Sequence, residues 1–350
     1  MLLRLQKGLS KAALDSITRL CSELGYKTQF VGEREDLLEL TGAGEPEHRS
    51  QLEDCTGVMA VHEAGDARER SLRAPGAPDT VVTVREARFG GGNLSLIAGP
   101  CAVEDPKRLL EIAQSVRRAG AVLLRGGAFK PRSSPYSFQG LGQEGLDHLQ
   151  HVKAETGLGV VTEVLDPRDV EAVGAVADMY QIGARSMANF ALLKEVGQTR
   201  TPVLLKRGFA ATVREFLLAA EYLLAGGNTN VVLCERGIRS FDSVTRNVLD
   251  VGAVAHLKKA THLPVIVDPS HAAGRSDLVR PLARAGIAVG ADGLLVEVHP
   301  APEEAHSDGS QAVPIDCFAR IADDVRALAA LDGRRLIDPE STPRQKESFA

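Results

Sequence analysis

The sequence predicts an α/β protein in which a closed (β/α)8 barrel follows a small α+β domain. Short, continuously apolar runs alternate with amphipathic stretches eight times over residues 94–332. Strands that are apolar along their whole length are typical of parallel sheets that helices cover on both faces. Residues 66–80 are rich in arginine, proline, glycine and aspartate and show no periodicity, so they separate the barrel from residues 1–65.

The segment before this linker predicts a compact α+β unit with the element order βαββαβ. A first strand in LLRLQ precedes a helix, in which apolar residues from Leu14 to Leu24 follow helical spacing until Gly25 ends it. Strands in KTQFVG and LLELTG, a second helix at 45–54 and a last strand in GVMAVHEA complete the order. This order is typical of a ferredoxin-like sandwich.

Residues 66–93 are expected to form the linker and then a pair of strands that lead into the barrel. The alternation in TVVTVREARFGGG favours the strand pair, and its three glycines are typical of a turn. No GxxxxGK or GxGxxG motif follows, so the sequence lacks the nucleotide-binding turns of open doubly wound sheets.

The barrel is predicted from eight strand–helix units. The strands are expected at 94–100, 121–127, 159–165, 179–184, 202–208, 230–237, 264–272 and 293–300. The helices are expected at 106–119, 144–156, 167–176, 189–197, 212–225, 247–260, 276–285 and 314–331. An open doubly wound sheet is the alternative, but eight units within 94–332 match the size of one closed barrel. The polar tail 333–350 is expected to fray.

The composition restricts the class of protein. The 350 residues are 44% hydrophobic and carry a net charge of −5. This acidic balance does not favour binding to nucleic acid. No apolar segment has the length of a membrane span, and the first residues lack the apolar run of a signal peptide. Five widely spaced cysteines without a CxxC pair argue against a disulfide framework and predict a cytoplasmic protein.

Charged and nucleophilic residues stand at the C-terminal end of almost every predicted barrel strand. Active sites of such barrels form at this end, because the loops that follow the strands meet there. The residues are Cys101, Arg125, Lys130, Arg132, Glu163, Arg185, Lys206, Arg207, Glu235, Arg236, Asp268, His271, Glu297 and His299. Core packing does not explain why charged residues recur at the same end of each strand. The sequence therefore predicts an active site at this rim.

A metal site is the first part of this prediction. A thiol, an imidazole and two carboxylates would converge across the barrel mouth, supplied by Cys101, His271, Glu297 and Asp308. This mixed ligand set suits Mn, Fe, Co or Zn, whereas Mg would not favour a thiolate. Taken singly, each residue has a more ordinary structural role, such as a buried small side chain for Cys101. The prediction therefore depends on the set.

An anion site is the second part. Six cationic side chains would surround the same mouth, namely Arg125, Lys130, Arg132, Arg185, Lys206 and Arg236. Arginine binds phosphate or carboxylate through two parallel hydrogen bonds, so the cluster indicates substrates with several negative charges. Solvated rim residues are the alternative. Neighbouring strand residues face opposite ways, so only one of Lys206 and Arg207 is expected to point into the site.

Eight ordered motifs carry a family resemblance: IAGPCAVE (97–104), LRGGAFKPRSSPYSFQG (124–140), TEVLD (162–166), QIGAR (181–185), LLKRG (204–208), ERGIR (235–239), VDPSHAAG (267–274) and EVHPAPEEAHSDGSQ (297–311). They resemble the 3-deoxy-D-arabino-heptulosonate 7-phosphate (DAHP, or 3-deoxy-7-phosphoheptulonate) synthases, transferases that open the shikimate pathway of aromatic amino acid biosynthesis. Most of residues 94–331 is covered. The motifs are similar to the single-barrel subgroup that also contains the 3-deoxyoctulosonate (KDO) 8-phosphate synthases. The resemblance implies a TIM barrel that condenses phosphoenolpyruvate with erythrose 4-phosphate in an aldol-type reaction.

The resemblance implies a role for each residue that matches a family motif. The metal ligands of the family match Cys101, His271, Glu297 and Asp308. The residues that hold phosphoenolpyruvate match Arg125, Lys130, Arg185, Lys206 and Arg236. The contacts to the phosphate of erythrose 4-phosphate match Arg132 and Ser133. The implied catalytic positions are Lys130, Glu163 and His271, with Glu163 near the reacting end of phosphoenolpyruvate.

The segment Lys130-Pro131-Arg132-Ser133 favours one of two aldehydes. It matches the KPR(T/S) segment of the family, which the KDO 8-phosphate synthases typically lack, and so favours erythrose 4-phosphate over arabinose 5-phosphate. Ser186 and Ala188 stand where relatives carry Asn and Gln, which leaves open a modified sugar phosphate as substrate. A non-catalytic regulatory barrel is the alternative from another class, and the filled motif positions disfavour it.

Residues 1–65 resemble the ferredoxin-like regulatory domain of some family members. In those members the domain mediates feedback inhibition by tyrosine or phenylalanine, which implies allosteric regulation here. An oligomerisation or lid module is the alternative. A homodimer or homotetramer is expected, without a nucleic acid or membrane partner.

Overall fold

The computed structural model describes residues 1–6, 8–31, 34–42, 48–62, 69–74, 76–132 and 134–339. The chain divides into two compact units, Met1–Glu69 and Arg70–Ala350. Within the described ranges, none of the helices combines the length and the apolar composition that crossing a membrane requires.

The first unit is a four-stranded antiparallel sheet with two helices. Its elements are β1 (Leu2–Leu5), α1 (Lys11–Glu23), β2 (Lys27–Val31), β3 (Arg34–Thr41), α2 (His48–Glu53) and β4 (Val58–His62). The strand order β2-β3-β1-β4 confirms the predicted ferredoxin-like arrangement. Ser10 caps α1 by accepting a hydrogen bond from the backbone N–H of Ala13 at 3.3 Å. Leu3, Ile17 and Leu52 lie in its apolar core.

The second unit opens with an antiparallel strand pair, β5 (Val82–Val84) and β6 (Ala87–Phe89), as the sequence predicts. Its inward side chains, Val82, Val84 and Phe89, are buried. They belong to one apolar cluster with side chains of the barrel strands, such as Ile97 and Leu204. The strand pair therefore packs against side chains inside the barrel, where β7 begins.

Eight parallel strands form the barrel. They are β7 (Asn93–Gly99), β8 (Leu123–Arg125), β9 (Gly159–Glu163), β10 (Met179–Ile182), β11 (Val203–Lys206), β12 (Val231–Glu235), β13 (Val265–Val267) and β14 (Gly293–Glu297). Each pairs with the next along the chain, and β14 pairs with β7 in the register Leu295↔Ile97. This last pairing closes the sheet, so the predicted barrel is confirmed and the open doubly wound sheet is excluded.

The helices cover the barrel as the amphipathic stretches predict. They are α3 (Pro106–Arg118), α4 (Gln143–Thr156), α5 (Val170–Gly174), α6 (Phe190–Gly197), α7 (Val213–Ala225), α8 (Val251–Ala260), α9 (Pro269–Ala273), α10 (Val279–Ala288) and α11 (Ile315–Leu331). The stretch 167–176 is a 3₁₀ turn, Pro167–Asp169, followed by the short α5. The short α9 lies in a stretch that was expected to continue the seventh strand, because Asp268-Pro269 ends β13 and starts a helix there.

A fifteenth strand, β15 (Arg335–Ile337), lies within the segment that was expected to fray. It pairs in parallel with the first residues of β7, in the register Leu336↔Leu94, and both Leu336 and Ile337 are buried. Three residues between polar neighbours are too few to show a strand periodicity, which is why the sequence did not reveal this strand. Residues 340–350 lie outside the described residues.

Replacing Ile337 by alanine should test the contribution of β15. Ile337 is 5% exposed and belongs to the cluster inside the barrel, so we expect the free energy of unfolding to fall by about 2–5 kcal/mol. Leu331→Ala is the control, because Leu331 is 81% exposed at the end of α11. Urea unfolding measures both. Equal stability of the two variants would mean that β15 does not support the barrel.

Candidate active site

A cavity of about 280 Å³ lies at the C-terminal ends of the barrel strands. Nine of the predicted site residues line it: Arg125, Lys130, Arg132, Glu163, Arg185, Lys206, Arg236, His271 and Asp308. Two more, Cys101 and Glu297, are buried and contact cavity-lining residues. Ser133 lies outside the described residues. The parallel register thus brings together side chains that are separated by up to about 200 positions in the sequence.

Four potential metal-binding side chains meet at the side of this cavity. One donor atom each from Cys101, His271, Glu297 and Asp308 lies within 4.8 Å of the others. The Cys101 thiol donates a hydrogen bond to Asp308 Oδ2 at 3.1 Å, and His271 Nε2 lies 3.2 Å from Glu297 Oε1. We call these four residues the donor cluster.

Asp268 orients the imidazole of the donor cluster. It caps α9, since its Oδ1 accepts a hydrogen bond from the backbone N–H of His271 at 2.9 Å. Its Oδ2 lies 2.6 Å from His271 Nδ1 and 2.5 Å from Lys206 Nζ. Burial alone would raise the pKa of Asp268, but the adjacent His271 and Lys206 hold that pKa well below its usual value. The contact at Nδ1 leaves Nε2 of His271 facing Glu297.

Two contacts of the carboxylate and one of the backbone fix Glu297 at the end of β14. Glu297 forms a buried ion pair with Arg125 and accepts a hydrogen bond from Gln311 Nε2 at 2.5 Å. Its backbone N–H donates to Ser270 Oγ at 3.0 Å. Burial raises the pKa of Glu297, but the neighbouring His271 and Arg125 outweigh burial, so the pKa lies below its usual value. The carboxylate is therefore ionised at neutral pH.

Asp308 reaches the donor cluster from the loop after β14. Its backbone is left-handed, with φ 54°, a conformation that aspartate tolerates better than most residues. Arg246 Nη1 donates to Asp308 Oδ1 at 3.2 Å and to Gln311 Oε1 at 3.0 Å, which ties this loop to the loop after β12. Burial raises the pKa of Asp308. The hydrogen bond from Cys101 and the nearby positive charges lower it by more, so the pKa lies below its usual value.

The chemistry of the donor cluster fits a divalent transition metal. Burial and the Glu297 carboxylate raise the pKa of the Cys101 thiol to about 12, even though Lys130 Nζ donates a hydrogen bond to its sulfur at 2.9 Å. The two carboxylates already form ion pairs with Arg125 and Arg246, but the raised pKa keeps the thiol protonated. A divalent cation bound among the four donor atoms would favour the thiolate. The set of one S, one N and two O donors matches metals such as Mn, Fe, Co and Zn.

The cations of the cavity fall into two groups. Most already have a partner: Arg125 binds Glu297, Lys206 binds Asp268, Lys130 contacts the Cys101 sulfur, and Arg132 donates to Ser307 Oγ at 2.6 Å. Arg185 and Arg236 form no ion pair within the described part of the chain. Arg236 donates only to the backbone carbonyls of Gly237 and His271. Its side chain is buried, and this burial lowers its pKa. Positive charge therefore remains available for an anion.

Strand alternation separates Lys206 from Arg207 as expected. Lys206 faces the cavity, whereas Arg207 Nη1 binds Glu235 at 2.8 Å and Asp250 at 3.0 Å. Asp250 caps α8, so this ion pair joins β11 and β12 to a helix of the barrel. Arg207 and Glu235 are thus structural residues.

Glu163 lies at the end of β9, is 6% exposed and lines the cavity. Gln181 Nε2 donates to its Oε2 at 3.2 Å. Gly183 leaves room for this carboxylate, because any Cβ at that position would overlap Glu163 Oε1. The QIGAR motif therefore requires glycine at this position for steric reasons.

The sequence did not assign a role to several residues that shape the site, among them Gln181, Phe209, Arg246, Asp268 and Gln311. For Asp268 the sequence contained a usable signal, since an aspartate before proline at a strand end is a typical helix cap. Arg246 and Gln311 come from long loops, where no periodicity shows which side chains point inward.

A family model described as "DAHP synthetase I family" matches residues 79–330. The chain is 51% identical over 251 residues to phospho-2-dehydro-3-deoxyheptonate aldolase of Thermotoga maritima, which covers 72% of this chain and 74% of that protein. It is 33% identical over 273 residues to 2-dehydro-3-deoxyphosphooctonate aldolase of Syntrophotalea carbinolica, which covers 73% of this chain and 97% of that protein.

Two solved structures from Thermotoga maritima resemble the chain. One is phospho-2-dehydro-3-deoxyheptonate aldolase (DAHP synthase), with a TM-score of 0.76 and 41% identity, covering 96% of this chain and 98% of that one. The other is a truncated form of 3-deoxy-D-arabino-heptulosonate 7-phosphate synthase, with a TM-score of 0.72 and 47% identity, covering 76% of this chain and 98% of that one. The barrel, its cation-lined cavity and the family match together place this chain in the DAHP synthetase I family.

Proposed function

We propose that this chain is a 3-deoxy-7-phosphoheptulonate synthase. It would condense phosphoenolpyruvate, D-erythrose 4-phosphate and water to DAHP and phosphate, which is the first step of the shikimate pathway. The observation that carries the proposal is the position of the donor cluster beside a cavity lined by cations. Such a site suits two anionic substrates and a carbonyl that needs activation. A biosynthetic role agrees with the cytoplasmic location that the cysteine pattern predicts.

The donor cluster would hold the divalent metal, with Mn, Fe, Co and Zn as the candidates. When bound there, the metal supplies Lewis acidity to the aldehyde oxygen. Lys130 Nζ lies 2.9 Å from the Cys101 sulfur, so it is placed to give the proton that this oxygen takes when it becomes a hydroxyl. Asp268 keeps the imidazole of His271 in one orientation throughout.

The cavity cations would bind phosphoenolpyruvate. Arg185 and Arg236 offer unpaired guanidinium groups for its phosphate and carboxylate, and Lys206 and Arg125 add charge nearby. C3 of phosphoenolpyruvate forms the new bond to the aldehyde carbon, water adds at C2, and phosphate leaves with the oxygen that joined it to C2. We assign the orientation of that water to the Glu163 carboxylate, which faces the cavity.

Two observations favour erythrose 4-phosphate as the aldehyde. Arg132 belongs to the Lys130-Pro131-Arg132 segment, lines the cavity and is anchored by Ser307, so it is placed to bind a terminal phosphate. The identity is also higher to the heptonate aldolase, 51%, than to the octonate aldolase, 33%. Arabinose 5-phosphate is therefore the second candidate, and a barrel without catalytic activity is disfavoured by the complete donor cluster.

The first unit supports a regulatory proposal. We infer that the ferredoxin-like unit mediates feedback inhibition, with tyrosine or phenylalanine as the candidate inhibitor and a homodimer or homotetramer as the active form. Its own apolar core and four-stranded sheet give it the means to fold as a separate domain. An oligomerisation module is the competing role for this unit.

Turnover with two aldehydes tests the proposed function. We expect metal-reconstituted protein to consume phosphoenolpyruvate with erythrose 4-phosphate and not with arabinose 5-phosphate, and a chelator should abolish the reaction. Loss of the enol absorbance measures it. Consumption with arabinose 5-phosphate alone would move the assignment to the KDO 8-phosphate synthases. No consumption with either aldehyde, despite bound metal, would contradict both assignments.

Replacing Cys101 by serine tests the donor cluster. A serine hydroxyl does not ionise at neutral pH and is a poor ligand for soft metals, so we expect metal affinity to fall by at least about tenfold. Elemental analysis after dialysis against a defined metal buffer measures bound metal. Cys317→Ser is the control, because Cys317 is a half-buried cysteine of α11 outside the donor cluster. Unchanged metal content in the Cys101 variant would remove this residue from the ligand set.

Deleting residues 1–70 tests the regulatory proposal. The barrel retains its own core, so we expect turnover to persist while inhibition by tyrosine or phenylalanine disappears. Initial rates with and without each amino acid measure the effect. Unchanged inhibition in the shortened chain would refute a regulatory role for this unit.

A further inference from the structure

Phe209 lies at the centre of three arginines. Its ring centroid is 4.8 Å from the guanidinium carbon of Arg236, 5.1 Å from that of Arg239 and 5.3 Å from that of Arg185. Each distance is within the range of a cation–π interaction. Phe209 is half-buried and lines the cavity together with Arg185 and Arg236.

In the described part of the chain, the three guanidinium groups form no ion pair, unlike Arg125, which is paired with Glu297. Cations gathered around one point repel each other, and this repulsion is strong where water is excluded, as it is around the buried Arg236. The negative face of an aromatic ring partly offsets the repulsion without neutralising the charge.

The ring is not a core residue that happens to lie near charge. Phe209 belongs to none of the three apolar clusters formed by the described residues. Hydrogen bonds of the backbone fix it instead. Its carbonyl accepts from the Arg239 N–H at 2.7 Å, and the N–H of Gly208 donates to Met187 Sδ at 3.1 Å. The loop after β11 is thereby tied to the loops after β10 and β12, which carry the arginines.

A carboxylate at this position would hold the arginines equally well but would occupy their hydrogen-bond donors. An aromatic face attracts the guanidinium group and leaves its N–H groups free at the edge of the plane. The arrangement thus suits arginines that must bind an incoming anion through those N–H groups. Leucine has a similar apolar volume but lacks the negative face.

We propose that Phe209 is a positioning residue whose ring orients Arg185 and Arg236 toward the phosphate and carboxylate of phosphoenolpyruvate. This inference rests on the proposed function, because that function names the anion. It adds a residue that itself carries no charge to the anion site. The third arginine, Arg239, supports the ring through its backbone contact and its own cation–π contact.

The test compares Phe209→Leu, Phe209→Tyr and the control Phe190→Leu. Phe190 is an exposed phenylalanine of α6 that stacks on Tyr222, with the ring centroids 4.6 Å apart. Among the described residues the cation–π contacts of these arginines go to Phe209, so the control makes the same change without altering them. Isothermal titration of phosphoenolpyruvate should show the dissociation constant rising about tenfold in Phe209→Leu, whereas Phe209→Tyr and Phe190→Leu should stay within about twofold of the parent.

Kinetics add a readout that general damage would not reproduce. In Phe209→Leu we expect the KM for phosphoenolpyruvate to rise while kcat and the KM for the aldehyde change by less than about twofold. Equal binding by Phe209→Leu and the parent protein, or no recovery in Phe209→Tyr, would overturn the inference. A matching rise in the KM for the aldehyde would also overturn it, because the change would then not be confined to the anion site.

Inorganic phosphate separates this inference from the proposed function. If the parent protein binds phosphate but neither binds nor consumes phosphoenolpyruvate, the proposed function fails. In that case the Phe209 comparison is repeated with phosphate as the anion. A weaker affinity for phosphate in Phe209→Leu alone would still support the role of the ring, and equal affinities in all variants would refute it.

Discussion

The buried carboxylate of Asp268 is the contact on which both halves of the site depend. It is 0% exposed and joins Lys206 of the anion cavity to His271 of the donor cluster. A carboxylate so far from water would be neutral without such partners, because desolvation disfavours its charged form. The two basic groups keep it ionised, and its charge in turn fixes the direction of both. Asp268 therefore sets the spacing between the donor cluster and the cations of the cavity.

Pairing of charge explains how so many ionised groups fit into one barrel mouth. Glu297 is matched by Arg125, Asp268 by Lys206 and Asp308 by Arg246. A buried charge that lacks a partner is costly, whereas a matched and hydrogen-bonded pair is tolerated. The arginines around Phe209 form no ion pair in the described part of the chain, and a bound phosphate would balance their charge. The cavity lining is locally cationic, with seven arginine and lysine side chains and two carboxylates, although the chain as a whole carries a net charge of −5.

The sequence predicted the barrel because each of its strands is buried on both faces and each helix has one apolar face. It also indicated the candidate residues, since position at a strand end determines the rim on which a side chain stands. The sequence did not indicate which ion-pair and hydrogen-bond partners those side chains have in the fold. The pairing of Arg207 with Glu235 depends on strand register, and the inward turn of Arg246 and Gln311 depends on loop geometry. Neither leaves a periodic pattern. The strand β15 was not predicted for the same reason, because three residues are too few to show a periodic pattern.

The pairing of β15 with β7 has a consequence for the order in which the chain acquires its structure. The first strand of the barrel, β7, pairs early with β8, but its other partners, β14 and β15, follow only about 200 residues later in the chain. Domains generally fold as units during synthesis, the N-terminal one first. The ferredoxin-like unit has all its strands within the first 69 residues and can fold while the ribosome is still translating the barrel. The barrel cannot close before residues 293–337 have been synthesised, and until then an edge of β7 is open to chaperones and to neighbouring nascent chains.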